Sequence, residues 1–238
     1  MAARYEFKYL VDLDRRVSFQ RVLASHLVPG EYVDSAGAYA VLSQYYDGAT
    51  LPMYMEKISG VEQRLKVRLR TYGWSFDAAP TWFLEAKHKQ GAHIAKRRIL
   101  LERGTIDPVR TASWDALIGR EHAGAFLQAR DSVRLEPSAQ IWYLREVLEA
   151  PGGGLRVTWD MSLRALHPGE PMRTELLYDD TRALLPDSEA VLEIKAAQTL
   201  PSWLSRAIRT HGLVSESFSK YVRAVDVLGL SRKVLTTC

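Results

Sequence analysis

Along most of this chain apolar and polar residues alternate one by one, the period of a β-strand with two unlike faces. The alternation is sharpest at 64–70, where Arg64, Lys66, Arg68 and Arg70 fall on one face and Leu65, Val67 and Leu69 on the other. Similar runs predict strands over 4–12, 39–46, 63–72, 81–89, 96–102, 139–148, 155–160 and 190–196, with a short one at 176–178. Turn residues separate them: Asp47-Gly48, Gly73, Gly91, and Pro151-Gly152-Gly153-Gly154, the last a hairpin signal. Helical spacing appears over 12–27, where Asp12 or Asp14 can cap, Phe19, Val22 and Leu23 form the apolar stripe, and Pro29-Gly30 ends it. It appears again at 108–130, around Trp114, Leu117 and Ile118, as one or two helices. Pro201 opens a helix to residue 209, and 217–228 reads as a last one. With no linker, low-complexity tract or internal repeat, the pattern predicts a single domain over 1–238. It is an α+β protein with one antiparallel sheet or barrel of about eight strands.

The cationic parity recurs on other strands. Arg4, Glu6 and Lys8 share a face; so do Glu85, Lys87 and Lys89; Lys96 and Arg98; Tyr143 and Arg145; Arg156, Thr158 and Asp160; Glu193 and Lys195. The opposite faces are apolar: Leu84 and Ala86, Ile99 and Leu101, Leu155, Val157 and Trp159, Leu192, Ile194 and Ala196. If those apolar faces enclosed a central core, the outside would be a field of one sign, whereas solvated sheets ordinarily mix signs. The alternative is a barrel with a cationic inner wall, its apolar outer wall covered by the helices. Like charges gathered in this way need neutralising. Glu6, Glu85 and Glu193 supply part of that, and a bound polyanion the rest. Phosphate oxygens suit the arginine fork and the lysine point charge. Carboxylates combined with phosphate oxygens suit Mg²⁺ or Mn²⁺.

Composition adds little by itself. The 238 residues are 47% hydrophobic and 25% charged with a formal net charge of +4, so it is the placement of the cations that matters. The lone cysteine, Cys238, forms no internal disulfide, in keeping with a reducing cytoplasm. No apolar run reaches the roughly 18–20 residues of a membrane helix, and 1–12 lacks a signal-peptide core. The expectation is a cytoplasmic protein, with recruitment by a membrane partner protein left open. The histidines show no metal-ligand spacing, and His88, on the apolar parity of its strand, is expected to be packed.

In order, the segments RLKVRLRTYG, FLEAKHK, KRRILL, LRVTWD, AVLEIK and SFSKY resemble the VTC domain. This is the polyphosphate-polymerase domain of the vacuolar transporter chaperone complex, a branch of the triphosphate tunnel metalloenzymes. The resemblance runs from RYEFKYLV to SFSKYVR. It implies an eight-stranded antiparallel tunnel with helices packed outside. It also implies ATP as phosphoryl donor, inorganic polyphosphate or pyrophosphate as acceptor, and Mn²⁺ or Mg²⁺ as cofactor. Position by position it implies catalytic roles for Arg68, Arg70, Lys87, Arg145 and Arg156. Substrate contacts fall to Lys8, Lys96, Arg98, Tyr143 and Lys220, and the metal to Glu193. Lys66, Lys89 and Lys195 join the substrate contacts by parity.

One departure bears on the reaction. Hydrolytic CYTH-type relatives open with an ExExK strand and bind metal with several carboxylates. Here the stretch is Arg4-Tyr5-Glu6-Phe7-Lys8, and Val191 stands at the position paired with Glu193. Fewer carboxylates imply fewer metals and weaker activation of water, which favours transfer to phosphate. The expected function is therefore an ATP- and metal-dependent polyphosphate polymerase. The alternatives are a triphosphate or polyphosphate hydrolase on the same barrel, or a non-catalytic polyphosphate-binding module. Nucleic acid is not expected, because aromatics do not interleave with the cations on one face.

Overall fold

The computed structural model describes residues 5–30, 37–91 and 93–235. Arg4 and Cys238 lie outside the described residues. In chain order the elements are β1 (Tyr5–Asp12), α1 (Leu13–Ala24), β2 (Val28–Pro29), β3 (Tyr39–Asp47), α2 (Pro52–Ile58), β4 (Arg64–Tyr72), β5 (Trp82–Gln90), β6 (His93–Leu101), α3 (Ile106–Arg110), α4 (Ala123–Val133), β7 (Glu136–Glu149), β8 (Leu155–Leu166), β9 (Glu189–Ala196), α5 (Ser202–Thr210), α6 (Lys220–Val227) and α7 (Leu230–Leu235). The eight long strands are those the alternation predicts; two-residue β2 is additional. The chain divides into two compact units. One comprises Met1–Ala40, Tyr143–Leu163 and Leu185–Ser219; the other comprises Val41–Trp142, Arg164–Leu184 and Lys220–Cys238.

In the first unit the strands run β1-β9-β8-β7, with β2 on β7, and β1 with β9, β8 with β9 and β2 with β7 pair antiparallel. Their apolar face builds one cluster: Tyr9 and Val11 from β1, Leu192 and Ile194 from β9, and Val157 and Trp159 from β8. Phe19 and Leu23 of α1 and Leu204 and Ala207 of α5 complete it. Phe19 and Leu23 stand four residues apart and so share one side of α1. Asp12 caps that helix by accepting from the Arg15 amide at 2.8 Å. The triple glycine turns β7 into β8 with Gly153 and Gly154 at φ +74° and +77°, a region side chains resist. Each large side chain removed from water here contributes roughly 1.5–3 kcal/mol, so this apolar side is what offsets a charged opposite face.

In the second unit the order is β7-β3-β4-β5-β6. Val67, Leu69, Leu84, Ala86, Ile99 and Leu101 are all buried on one side. From β3, Tyr46 meets Trp114 edge-on at 5.0 Å and donates to the Val109 carbonyl at 2.7 Å; Trp114 in turn meets Phe126 of α4. Helix α2 has no polar cap of its own: Leu51 sits there at φ 53°. Its first amides, Met53 and Tyr54, donate instead to the buried Asp47 carboxylate, each at 3.0 Å. Burial raises the Asp47 pKa, even against those hydrogen bonds. Gly48 is needed beside it, because a Cβ there would meet the Val133 carbonyl at 2.7 Å.

Three expectations need correction. Strand β8 does not stop at Asp160 but continues to Leu166, and Ser162 at φ 50° interrupts the alternation that made it readable. Residues 176–178 form no strand but part of a 3-10 turn, Thr174–Tyr178. The buried Arg164 guanidinium holds that turn by donating to the Leu176 carbonyl at 2.9 Å and to the Leu177 carbonyl. His88 is exposed rather than packed, since the far end of the β5–β6 hairpin has no apolar cover there.

Candidate functional site

Strand register gathers the predicted cations into rungs. In the second unit, Tyr45 pairs with Arg68, Arg68 with Glu85 and Glu85 with Arg98, so four neighbouring strands place these side chains in one row on one face. The next row is Lys66, Lys87 and Lys96, and on the other side Ser43 pairs with Arg70 and Arg70 with Phe83. Glu85 is 2% exposed and is the hub. It accepts from Arg68 Nε at 2.8 Å, from Arg98 Nε at 2.8 Å and Nη2 at 2.5 Å, and from Lys96 Nζ at 2.8 Å. Burial would raise its pKa; the coulombic pull of Arg68, then of Arg70 and Lys96, overrides that and holds the carboxyl far below the usual range. Burial also pulls the Lys96 ammonium below its usual value, despite Glu85. Arg70 donates to Ser43 Oγ at 3.0 Å, and the Arg98 guanidinium lies 4.4 Å from the Phe83 ring centroid. Lys89 sits one row further out, paired with Arg64.

Tyr45 belongs to this site, and the sequence reading missed it. Its hydroxyl accepts from Arg68 Nη1 at 3.2 Å. Burial alone would raise its pKa, but Arg68, Arg70 and Lys66 bring it down to about 8. Its ring stacks on Tyr221 at 5.2 Å. The Tyr221 hydroxyl donates to Asp47 Oδ2 at 2.6 Å and stands 3.0 Å from Ser138 Oγ. Tyr221 therefore fixes the start of α6, whose first residue is Lys220. The usable signal was parity: Ser43, Tyr45 and Asp47 alternate along β3, but tyrosine reads as a β-former.

In the first unit the rows are Glu6, Lys195 and Arg156, then Lys8, Glu193 and Thr158. Lys8 Nζ lies 3.4 Å from Glu6 and 4.0 Å from Glu193, and Lys195 pairs closely with Glu193. Burial opposes the Lys8 charge, but Glu193 and Glu6 outweigh it and raise its pKa. Arg145 grips Asp160 in a two-bond fork, Nε at 2.6 Å and Nη2 at 2.7 Å, with its guanidinium 5.2 Å from the Tyr143 ring. Burial works against Arg145 as well, and Asp160 more than compensates, so its pKa stands well above the usual value. Arg156 reaches Glu149 at 3.4 Å and Tyr39 at 3.5 Å. Lys8, Tyr143, Arg145, Arg156, Glu193 and Lys195 thus gather in one unit. Lys66, Arg68, Arg70, Lys87, Lys89, Lys96, Arg98 and Lys220 belong to the other.

Among the described residues no group of three or more His, Cys, Asp or Glu side chains gathers as a metal cage. Glu193 is the carboxylate expected to hold a divalent cation, and Lys195 and Lys8 pair with it here. Its rung neighbour Thr158 carries a buried hydroxyl with no hydrogen-bond partner, and an unsatisfied buried hydroxyl costs about 1–3 kcal/mol. A carboxylate and a hydroxyl oxygen suit Mg²⁺ or Mn²⁺, which often bind one or two carboxylates and take their other ligands from phosphate and water. No helix among the described residues is long and apolar enough to cross a membrane.

An antiparallel sheet with helices on its apolar side and rows of cations on the other defines an α+β fold of the triphosphate-tunnel type. Residues 3–229 match the model of the VTC domain, and the chain belongs to that family. Its function is accordingly one concerned with polyphosphate or triphosphate. Among solved structures, a putative adenylate cyclase from Bacillus halodurans shares the fold at TM-score 0.53 and 10% identity, over 91% of this chain and 95% of that one. A protein from Pyrococcus horikoshii aligns at TM-score 0.47 and 11% identity, over 96% and 99%. No curated protein matches by sequence.

Proposed function

We propose that this protein is a metal-dependent polyphosphate polymerase that uses ATP. The observation that carries the reading is the row of cations around Glu85, where Lys66, Arg68, Arg70, Lys87, Lys96 and Arg98 share a face with one carboxylate. Phosphoryl transfer asks mainly for positioning and charge stabilisation, and this face offers both. Glu85 fixes the Arg68 and Arg98 forks before substrate arrives, so little side-chain freedom remains to be lost on binding. Their remaining N–H groups and the lysine row take the phosphate oxygens.

In the reaction, a terminal oxygen of the acceptor phosphate attacks the γ-phosphorus of ATP. A new P–O–P bond forms, the bond to the bridging β–γ oxygen breaks, and ADP leaves with that electron pair. The attacking oxygen is already ionised, so no general base is required and none is assigned. Arg68, Arg70 and Lys87 hold the charge that builds on the transferring group. Lys220, the first residue of α6, is a further phosphate contact in the same unit, and in the other unit Lys8, Lys195, Arg145, Arg156 and Tyr143 form a second face with groups suited to phosphate oxygens. A divalent cation on Glu193 would neutralise phosphate oxygens when bound. Scarce carboxylates support transfer to phosphate over hydrolysis.

The test is incubation with ATP and Mn²⁺, followed by gel detection of polymer and a separate assay of free phosphate. Polymer is the expected product. Free phosphate without polymer would make the protein a hydrolase, and tight metal-independent binding without turnover would make it a binding module.

A further inference from the structure

The cationic face of the second unit is not uniform along its strands. Register divides it into rows about 6.8 Å apart, two residues of strand each. At one end cations dominate: Arg64, Lys89 and Ile94 make one row, and Lys66, Lys87 and Lys96 the next. Arg68, Glu85 and Arg98 form the middle row. At the other end charge gives way to apolar surface. Arg70 pairs with Phe83 and Phe83 with Leu100. Tyr72 follows two residues on and meets the Phe83 ring edge-on at 6.1 Å. Both rings are half-buried and Leu100 is 57% exposed, whereas Leu84, Ile99 and Leu101 on the opposite face are buried. A cleft of about 530 Å³ opens beside this end, within the roughly 300–1,000 Å³ of small-molecule sites. Arg98 and Leu100 border it, with Glu102, Arg120, Glu121 and His122. Its arginines are matched by its carboxylates, unlike the lysine row.

The chemistry of the two ends differs accordingly. Phosphates suit the lysine row. Glu102 and Glu121 repel phosphate but can accept from sugar hydroxyls, as acidic side chains do at a ribose. Phe83, Tyr72 and Leu100, with the Arg98 guanidinium 4.4 Å from the Phe83 ring centroid, suit the flat face of a base. The rings gather at one end instead of alternating with the cations, which fits one base and not a strand of them. We propose that the Phe83–Leu100 end of this face binds the nucleoside of the nucleotide donor, so that the triphosphate runs from there toward Lys66, Lys87 and Lys96. This rests on the reading of the cationic face as a phosphate site, which the experiment examines separately.

ATP and tripolyphosphate are titrated separately into the whole chain by calorimetry, in one buffer. The two ligands share the phosphates and differ in the nucleoside. Phe83→Leu, which keeps bulk in the row, is expected to lower ATP affinity relative to tripolyphosphate roughly tenfold, the scale of one base–aromatic stack. Leu100→Ser, at an exposed position where folding is not at stake, is expected to do the same to a smaller extent. Lys87→Ala is expected to weaken both ligands alike. Selective loss of ATP in either apolar variant supports the site. If both apolar variants change the two ligands by the same factor, or change neither, the nucleoside lies elsewhere; the phosphate reading then still stands on Lys87→Ala. If Lys87→Ala changes neither ligand, or the wild type binds neither, the phosphate reading falls and the nucleoside site with it.

Discussion

The two units carry cations on sheet faces of the same construction and balance them in opposite ways. In the first unit Lys8, Lys195, Arg145 and Arg156 face Glu193, Glu6, Asp160 and Glu149, one acid for each base. In the second unit eight bases, Arg64, Lys66, Arg68, Arg70, Lys87, Lys89, Lys96 and Arg98, share the face with Glu85. The first face is internally neutralised and needs no anion to be stable. The second stores excess positive charge that only an incoming anion relieves, because burying like charges is costly. An anion-binding role therefore suits the face around Glu85 better than the internally paired face of the first unit.

The sharpest way to break this contrast is Arg68→Ala or Lys87→Ala. Each loses a charge-assisted contact of about 1.5–3 kcal/mol, and polymer formation from ATP should disappear on gels while the circular-dichroism spectrum is kept. Unchanged polymer yield in both variants would sink the site assignment. Next comes Glu85→Gln. Removing one partner of a buried pair costs about 3–5 kcal/mol, and the partial exposure of Lys96 and Arg98 (48% and 40%) brings the expected loss below that. Added tripolyphosphate should recover most of the lost melting temperature, a rescue that Glu193→Gln should not show. Equal rescue of both variants would erase the distinction between the faces.

A smaller effect concerns pH. Tyr45 ionises near pH 8 rather than 10 because Arg68, Arg70 and Lys66 favour its anion. Its folded pKa is lowered, so the proton is lost as pH rises through about 8, and a phenolate then stands where phosphate should bind. Tripolyphosphate affinity should fall several-fold between pH 7 and 9, on the order of one screened charge–charge interaction, and Tyr45→Phe should flatten that limb in calorimetric titrations. The same slope in both proteins would clear Tyr45 of this role. The smallest change is expected from Arg156→Ala. This side chain is 42% exposed and already engaged with Glu149, so polymer yield should drop a few-fold rather than vanish.

How much of this could be read from the chain followed from periodicity. Strict alternation at Arg64–Arg70 gave the strand, its two faces and the cationic row, because side-chain direction in a strand depends only on parity. Register does not depend on parity alone. That Glu85 would collect Arg68 and Arg98 came from the register of strand pairings that span 17 and 13 residues of chain. Helix α2 escaped because its cap is Asp47, from the strand before it, rather than a local polar residue. The far half of β8 escaped because Ser162 breaks the alternation. The 3-10 turn at 174–178 read as a strand because the group holding it, Arg164, comes from elsewhere in the chain. Tyr45 escaped because an aromatic in a strand ordinarily means packing.

The bond between Tyr221 and Asp47 has a consequence for the order in which the protein is made. The residues of the first unit end at Ser219, but the second draws on a segment beginning at Lys220. During synthesis Asp47 is made 174 residues before Tyr221, the side chain that bonds it and stacks on Tyr45. Until that stretch clears the ribosome, the buried Asp47 carboxylate lacks the Tyr221 hydroxyl and Tyr45 lacks its stacking partner. The face around Glu85 and Tyr45 is thus the later of the two to be completed, only after the segment from Lys220 has been made.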